Sequence, residues 1–126
     1  MTLRDDLTDA LANANVQAFL RVIRAGESSQ DDRAYRMMLG GSLFGDTSAH
    51  PNVTVRVPGL PASTAAGAYQ FLHGTWGECK TALDLPDFSP ASQDLAAVYL
   101  IRRRGALADV LAGRIETAIA KCAKEW

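Results

Sequence analysis

The sequence has little cysteine. Of its 126 residues only Cys79 and Cys122 are cysteines, and neither has a second cysteine or a histidine at metal-binding spacing. A disulfide framework requires several cysteines, and a zinc site requires closely spaced Cys and His ligands. The sequence therefore predicts two reduced, buried thiols, no metal site and no cofactor.

The sequence also lacks an excess of one charge and any long hydrophobic run. Thirteen Lys and Arg residues against fourteen Asp and Glu residues give a net charge of -1. This balance provides no overall electrostatic footprint for nucleic acid or an anionic membrane. No apolar run approaches the roughly 20 residues of a bilayer span, which excludes stable membrane insertion. With 48% hydrophobic and 21% charged residues, the composition is typical of a single globular domain.

The first residues do not have the pattern of an export signal. Asp5 and Asp6 stand where a secretory signal has a cationic stretch followed by an apolar core. We therefore expect no Sec-type signal in this sequence.

Apolar residues at helical spacing, together with capping residues, predict that most of the chain is helical. The clearest case is residues 15–25, with Asn15 as the expected N-cap and Gly26 as the expected stop. The other predicted helices are residues 3–12 after a Thr2 cap, 75–83, 90–104 after a Ser89 cap, 106–111, and a last helix whose Ile115, Ile119 and Cys122 face the core.

Residues 34–62 differ from the rest of the chain. Turn signals at Gly40-Gly41 and Gly45-Asp46 precede the alternating pattern of residues 52–57, which predicts a strand. We expect a small β-rich lobe here. Helices around such a lobe form an α+β fold with a cleft between two unequal parts.

Glu27 follows directly after Gly26, at the end of a predicted apolar helix. A carboxyl group there lies near low-dielectric packing and faces the negative end of the helix dipole, and both effects raise its proton affinity. That property suits a general acid. Taken alone, a helix-end glutamate is more typical of a solvated surface residue.

Residues 63–76 combine small residues with groups suited to sugar recognition, and their composition is helical. Tyr69 and Trp76 carry rings that stack on pyranose faces, and Gln70 has donors and acceptors for hydroxyl and acetamide groups. Gly67 and Gly74 indicate a bend or a close backbone approach. The alternative is that the small residues allow tight packing and the aromatic residues, Trp76 above all, belong to the core.

Five stretches, taken together, carry a resemblance to a known family. They are Ala18-Phe19-Leu20 leading to Glu27, then Gly40-Gly41-x-Leu43-Phe44-x-Asp46-x-Ser48-x-His50-Pro51, then Ser63-Thr64-x-x-Gly67-x-Tyr69-Gln70, then Asp87-Phe88-Ser89-Pro90-x-Ser92-Gln93-Asp94, and finally Arg104-Gly105-Ala106-Leu107. In this order and spacing, over about residues 18 to 126, the sequence resembles the bacteriophage lambda-type endolysins, which are lysozyme-like lytic transglycosylases. The resemblance implies a lysozyme-like α+β fold, mostly helical, with the β-rich lobe flanking a substrate cleft.

The resemblance also implies site residues. Glu27 occupies the position of the family's essential glutamate and would be the catalytic acid and base. Two residues have a local alternative, because Asp46 equally fits a loop-ordering role and His50 before Pro51 a structural turn. The residues that would bind substrate, by lining or bracing the cleft, are Ser28, Tyr35, Asp46, His50, Ser63, Tyr69 and Gln70.

The family's reaction cleaves the β-1,4 bond between N-acetylmuramic acid and N-acetylglucosamine in peptidoglycan without water and leaves a 1,6-anhydro end. One carboxyl group suffices for it. A hydrolytic muramidase would need a second carboxylate, for which Asp31, Asp32 and Asp46 are the candidates.

Two further alternatives come from other functional classes. The chain would be a catalytically silent glycan-binding module if the fold served only cell-wall docking. Arg102, Arg103 and Arg104 would contact nucleic acid in a third interpretation, although such a triplet at a helix end is more typical of dipole compensation.

The resemblance finally implies a biological setting for host-cell lysis. The protein would gather as a monomer in the host bacterial cytoplasm and reach peptidoglycan glycan strands in the periplasm after a phage holin permeabilises the inner membrane. A carrier protein that delivers the domain is equally compatible. Family members continue beyond the position of Trp126 through a segment that closes part of the cleft. Residues 1–126 are therefore expected to form one catalytic domain without that extension, either as part of a longer protein or with a more open cleft and weaker glycan affinity.

Overall fold

The computed structural model describes all residues from 1 to 126. The helix at Pro90–Arg103 is central and packs against four of the other five helices. No helix of the structure combines the length and the apolar character needed to cross a bilayer. The six α-helices are α1 (Leu3–Leu11), α2 (Ala14–Glu27), α3 (His73–Leu83), α4 (Pro90–Arg103), α5 (Leu107–Leu111) and α6 (Ile115–Cys122).

The N-termini of the helices follow local capping chemistry. Thr2 caps α1 in a capping box with Asp5, as the sequence predicts, and Ser89 caps α4 with Pro90 in its first turn. For α2 the expected cap was wrong. Asn13 rather than Asn15 is the cap, because its Oδ1 accepts hydrogen bonds from the backbone N–H groups of Asn15 and Val16.

Helix α2 also ends later than its glycine predicts. Gly26 lies inside the helix, and Glu27 is the last helical residue. The helix ends at Ser28, whose backbone leaves the helical region while its hydroxyl donates a 2.7 Å hydrogen bond to the carbonyl oxygen of Ala68. A tertiary contact therefore sets this end, and it places Glu27 beside a distant segment of the chain.

The lobe predicted at residues 34–62 has less regular structure than expected. The strand predicted over residues 52–57 is wrong: only Val55 pairs, through an isolated bridge to Ser63. The neighbouring Val53 is 46% exposed, so the alternation does not mark a buried sheet face. The lobe instead contains 3-10 turns at Asp32–Arg36 and Leu39–Gly41 and a further bridge between Met37 and Leu43.

Residues 63–72 are not helical, contrary to the expectation from their composition. They form turns and bridges, and α3 begins only at His73. Gly67 has φ +86°, and a Cβ at this position would collide with Gln93 Oε1 and Phe88 Cζ. The close backbone approach predicted for Gly67 is thus confirmed, and it fixes this turn against α4.

The last helix faces the core with small residues. Ala118 and Cys122 are buried, one turn apart. The predicted inward orientation of Ile115 and Ile119 was wrong, since they are 38% and 49% exposed. Cys79 and Cys122 are buried free thiols, in agreement with the sequence.

Candidate active site

Glu27 lies in the wall of an apolar pocket. Its side chain is partly buried and takes part in none of the structure's hydrogen bonds or ion pairs. The pocket has a volume of about 220 Å³. This Glu27 pocket is lined by Phe19, Val22, Ile23, Gly26, Glu27, Ile119, Cys122 and Trp126.

The environment of Glu27 favours its protonated form. Burial raises the pKa of Glu27 above its ordinary value, and no neighbouring charge adds to the shift. Burial also raises the pKa of Cys122, the other titratable group in the pocket, which keeps that thiol neutral. A carboxyl group in such surroundings holds its proton to a higher pH than an exposed glutamate, which suits a proton donor.

The turn at residues 66–71 is fastened to the end of α2 by side chains. The Ser28 hydroxyl bonds the carbonyl oxygen of Ala68, and Arg24 Nη1 donates a 2.9 Å hydrogen bond to the Tyr69 hydroxyl. Trp126 completes the attachment, because its Nε1 donates a 2.9 Å hydrogen bond to the carbonyl oxygen of Tyr69. The structure therefore brings Ser28, Tyr69 and Trp126 to the helix end that carries Glu27.

Asp94 on α4 joins Tyr69 to Tyr35. Its Oδ1 accepts hydrogen bonds from the Tyr69 hydroxyl at 2.6 Å and from the Tyr35 hydroxyl at 2.9 Å. Burial, followed by the nearby Asp94 charge, raises the pKa of Tyr35 to about 12 and that of Tyr69 further. Burial also raises the pKa of Asp94, although both tyrosine hydrogen bonds oppose the shift. The two tyrosines therefore act as hydroxyl donors to one partly buried carboxyl group.

The stacking role considered for Tyr69 and Trp76 is wrong. The Tyr69 side chain is fully buried and Trp76 is 3% exposed, so neither ring offers a face to a sugar. Trp76 instead packs edge-to-face on Phe88, with ring centroids 4.6 Å apart. Tyr69 braces the site through its hydroxyl and carbonyl groups.

Gln70 holds the turn and faces a second cavity. Its Nε2 donates to the carbonyl oxygens of Met37 and Gly67 at 2.9 and 2.8 Å, which leaves the amide oxygen as an available acceptor. The cavity, of about 200 Å³, also takes in Thr75 and Trp126. Trp126 therefore lies between this cavity and the Glu27 pocket.

Asp46, His50 and Ser63 make no hydrogen bond to Glu27, Ser28, Tyr69 or Gln70. Asp46 Oδ1 accepts from the backbone N–H of Ser48, and Ser63 Oγ accepts from that of Ala65, so each orders its own loop. His50 Nε2 bonds the carbonyl oxygen of Phe71 at 2.8 Å, and its Nδ1 accepts from a backbone N–H two residues on. These contacts are the structural alternatives that the sequence left open for Asp46 and His50.

The arginine triplet does not form a free cationic patch. Arg103 pairs with Glu78 and Glu125 at 3.4 and 3.1 Å, and Arg104 pairs with Glu125 at 3.0 Å. These carboxylates neutralise part of the charge that nucleic-acid binding would require.

Three contributors to the site were missed in the sequence. Asp94 precedes an apolar helical run and has the pattern of a solvated helix residue, Arg24 has the pattern of a last-turn cation, and Trp126 is the final residue. Only Asp94 carried a local signal, because it closes one of the five stretches that define the resemblance. The roles of all three depend on contacts with Tyr69, which is 25 residues from Asp94, 45 from Arg24 and 57 from Trp126 along the chain.

Comparison with known proteins gives a consistent result. A family model described as Endolysin matches residues 17–126. The endolysin of Escherichia phage P2 is 40% identical over 131 aligned positions, covering 89% of this chain and 77% of the relative. The endolysin of Escherichia phage lambda is 38% identical over 120 positions, covering 90% and 76%. The chain belongs to the endolysin family.

Solved structures agree with this assignment. Bacteriophage lambda lysozyme complexed with a chitohexasaccharide superimposes with a TM-score of 0.83 at 37% identity, covering 90% of this chain and 78% of that one. A second structure of lysozyme from bacteriophage lambda gives a TM-score of 0.81 at 36% identity, covering 89% and 77%. The lysozyme-like α+β fold is confirmed. As a member of this phage family, the chain is a lysozyme-like glycosidase that degrades bacterial peptidoglycan.

Proposed function

We propose that the chain is a lytic transglycosylase that cleaves the β-1,4 bond between N-acetylmuramic acid and N-acetylglucosamine and leaves 1,6-anhydro ends. The observation that carries the proposal is the state of Glu27, a partly buried carboxyl group without a hydrogen-bond or ion-pair partner in an apolar pocket. Its raised pKa fits a group that first gives a proton and then takes one back.

In the proposed reaction, neutral Glu27 protonates the glycosidic oxygen as the bond from this oxygen to muramic C1 breaks. The Glu27 carboxylate then accepts the proton of the muramic C6 hydroxyl, and the C6 oxygen bonds to C1. Glu27 ends protonated, as it began, and no water is consumed. The acetamido group of the sugar assists at C1, as in substrate-assisted exceptions to the two-carboxylate rule.

The other candidate carboxylates support a mechanism with one carboxyl group. The side-chain hydrogen bond from Arg33 lowers the pKa of Asp31 to about 2, and the two residues form an exposed ion pair at 2.8 Å. Asp46 is exposed and bonded to Ser48. A second catalytic carboxylate about 5 to 9.5 Å from the first would raise the pKa of Glu27 by charge repulsion, whereas burial is its only perturbation.

We further propose how the other predicted site residues serve the glycan. Gln70 contacts it through the amide oxygen that its backbone bonds leave available, while Ser28, Tyr35 and Tyr69 brace the site. Asp46, His50 and Ser63 order the lobe beside the cleft. Support for a glycan ligand comes from the similar lambda lysozyme, whose structure contains a chitohexasaccharide.

The proposed setting is phage lysis of the bacterial host. Residues 1–126 would act as one monomeric catalytic domain, made in the host cytoplasm and admitted to the periplasm once a holin permeabilises the inner membrane. The family assignment supports this setting.

The test combines one variant with one product analysis. Glu27→Gln keeps the size of the side chain but cannot donate the required proton, so it should abolish turbidity loss of permeabilised Gram-negative cells while circular dichroism stays unchanged. Mass spectrometry of peptidoglycan digested by the unmodified enzyme should find mainly anhydro ends. Mainly reducing ends would favour a hydrolytic muramidase, and an active Glu27→Gln enzyme would refute the role of Glu27.

A further inference from the structure

Arg24 and Glu27 lie three residues apart in the last turns of α2. Side chains at this spacing are neighbours on a helix surface, with Cβ atoms about 5–6 Å apart, and oppositely charged residues at this spacing stabilise each other. An ion pair between them is therefore the expected arrangement. It does not form, because none of the six ion pairs in the structure includes Arg24 or Glu27.

Arg24 is instead held by Tyr69. Its Nη1 donates a 2.9 Å hydrogen bond to the Tyr69 hydroxyl, and its guanidinium carbon lies 5.9 Å from the centroid of the Tyr69 ring. Both contacts direct the cation to the turn at residues 66–71, and Glu27 is left without a charged partner.

Asp94 determines which way the Tyr69 hydroxyl points. A tyrosine hydroxyl has one proton and can accept through its oxygen. The 2.6 Å bond to Asp94 Oδ1 uses that proton, so the oxygen lone pairs remain for Arg24. Tyr69 thus links a partly buried carboxyl group to the guanidinium, and each bond favours the other.

The charges around each group agree with this geometry. Burial acts to lower the pKa of Arg24, and Tyr69, Tyr35 and Asp94 together outweigh it, so the net shift is upward. Burial alone accounts for the raised pKa of Glu27, and Cys122 in the wall of the Glu27 pocket is a buried thiol.

We propose that Tyr69 and Asp94 are positioning residues that hold the Arg24 guanidinium on the Tyr69 hydroxyl, so that the Glu27 carboxyl has no cationic partner. The proposal rests on the proposed role of Glu27 as the general acid. Released from Tyr69, Arg24 would pair with Glu27, stabilise the carboxylate and leave less of the acid form at neutral pH.

The direct test is an NMR titration of Glu27 in protein with ¹³C-labelled glutamate, without substrate. Tyr69→Phe removes the hydroxyl and keeps the ring, and the titration midpoint of Glu27 should fall by about 1 pH unit. In Tyr69→Phe/Arg24→Gln the midpoint should return to the unmodified value. Asp94→Ala removes the acceptor of the Tyr69 proton and should lower the midpoint as well, and it serves as the second variant if Tyr69→Phe does not fold.

Tyr35→Phe is the matched control. It removes the other hydroxyl that donates to Asp94 but makes no hydrogen bond to Arg24 or Glu27, so the Glu27 midpoint should change far less than in Tyr69→Phe. A folded Tyr69→Phe protein with an unchanged midpoint would overturn the proposal. So would a lowered midpoint that persists without Arg24.

Activity separates this proposal from the proposed function. If both hold, the alkaline limb of the kcat/KM profile against pH, which reports the free enzyme, moves down with the NMR midpoint in Tyr69→Phe and recovers in the double variant. If the Glu27 midpoint falls while the activity profile does not move, Tyr69 does keep Arg24 away from Glu27. The same result would overturn the assignment of Glu27 as the general acid.

Discussion

The indole Nε1 of Trp126 donates a 2.9 Å hydrogen bond to the carbonyl oxygen of Tyr69. The last residue of the chain is thereby fixed to the turn beside the end of α2, and its ring forms part of the wall of the Glu27 pocket. The apolar lining beside the Glu27 carboxyl group therefore includes a ring that this hydrogen bond holds in place.

Trp126→Phe should therefore weaken both the fold and the pocket. Loss of the hydrogen bond should lower the free energy of unfolding by about 1 kcal/mol in urea denaturation. The pKa of Glu27 should also move toward its ordinary value, because more water reaches the pocket. Lys124→Ala, an exposed change in the same tail, should alter the unfolding free energy by less than about 0.5 kcal/mol. Equal losses of unfolding free energy in the two variants would show that the indole hydrogen bond does not stabilise the fold.

Gly67→Ala should be strongly destabilising. The added methyl group meets Gln93 and Phe88 in a buried turn, and φ +86° is unfavourable for alanine. The expected loss is about 2 kcal/mol or more of unfolding free energy. Gly77→Ala is the matched control, since a Cβ there meets nothing within 4 Å and the residue lies inside α3. That change should stabilise by up to about 1 kcal/mol, so a comparable loss at both glycines would contradict the steric account.

His50 should make stability depend on pH. Burial, and then His73, lower the pKa of His50, while its bond to Phe71 opposes the shift. The folded state therefore favours the neutral ring, and this contribution to stability is complete above the unfolded pKa of about 6.5. It is lost as the pH falls below that value toward the folded pKa. Unfolding free energies measured from pH 8 to 5 should decline less steeply for His50→Asn than for the unmodified protein, and equal slopes would argue against this role.

Local signals in the sequence predicted the parts of the fold that depend on neighbours along the chain. Thr2 and Ser89 cap helices because their hydroxyls reach amides three residues away. The end of α2 could not be found this way, since Gly26 continues the helix and the Ser28 bond to Ala68, forty residues on, ends it. The strand expected at residues 52–57 failed for a similar reason, because alternation gives no strand without a partner and a buried face.

In the candidate site, too, local features were predicted from the sequence and long-range contacts were not. Glu27 was predicted because its position at a helix end and the motif around it are both local. The contacts that set its environment were not predicted. Arg24 donates a hydrogen bond to Tyr69, Asp94 accepts one from Tyr69, and Trp126 lines the Glu27 pocket. Each depends on which distant side chains the fold brings together, and the full burial of Tyr69 likewise reverses the stacking role that its residue type indicates.

Digestion of peptidoglycan in water enriched in ¹⁸O tests the central claim most directly. When Glu27 acts as the only catalytic carboxyl group and the muramic C6 oxygen closes on C1, no solvent oxygen enters the product. Mass spectrometry should therefore find anhydro-muramic ends without ¹⁸O. Reducing muramic ends that carry one ¹⁸O atom would mean that water attacks C1, and they would contradict the account.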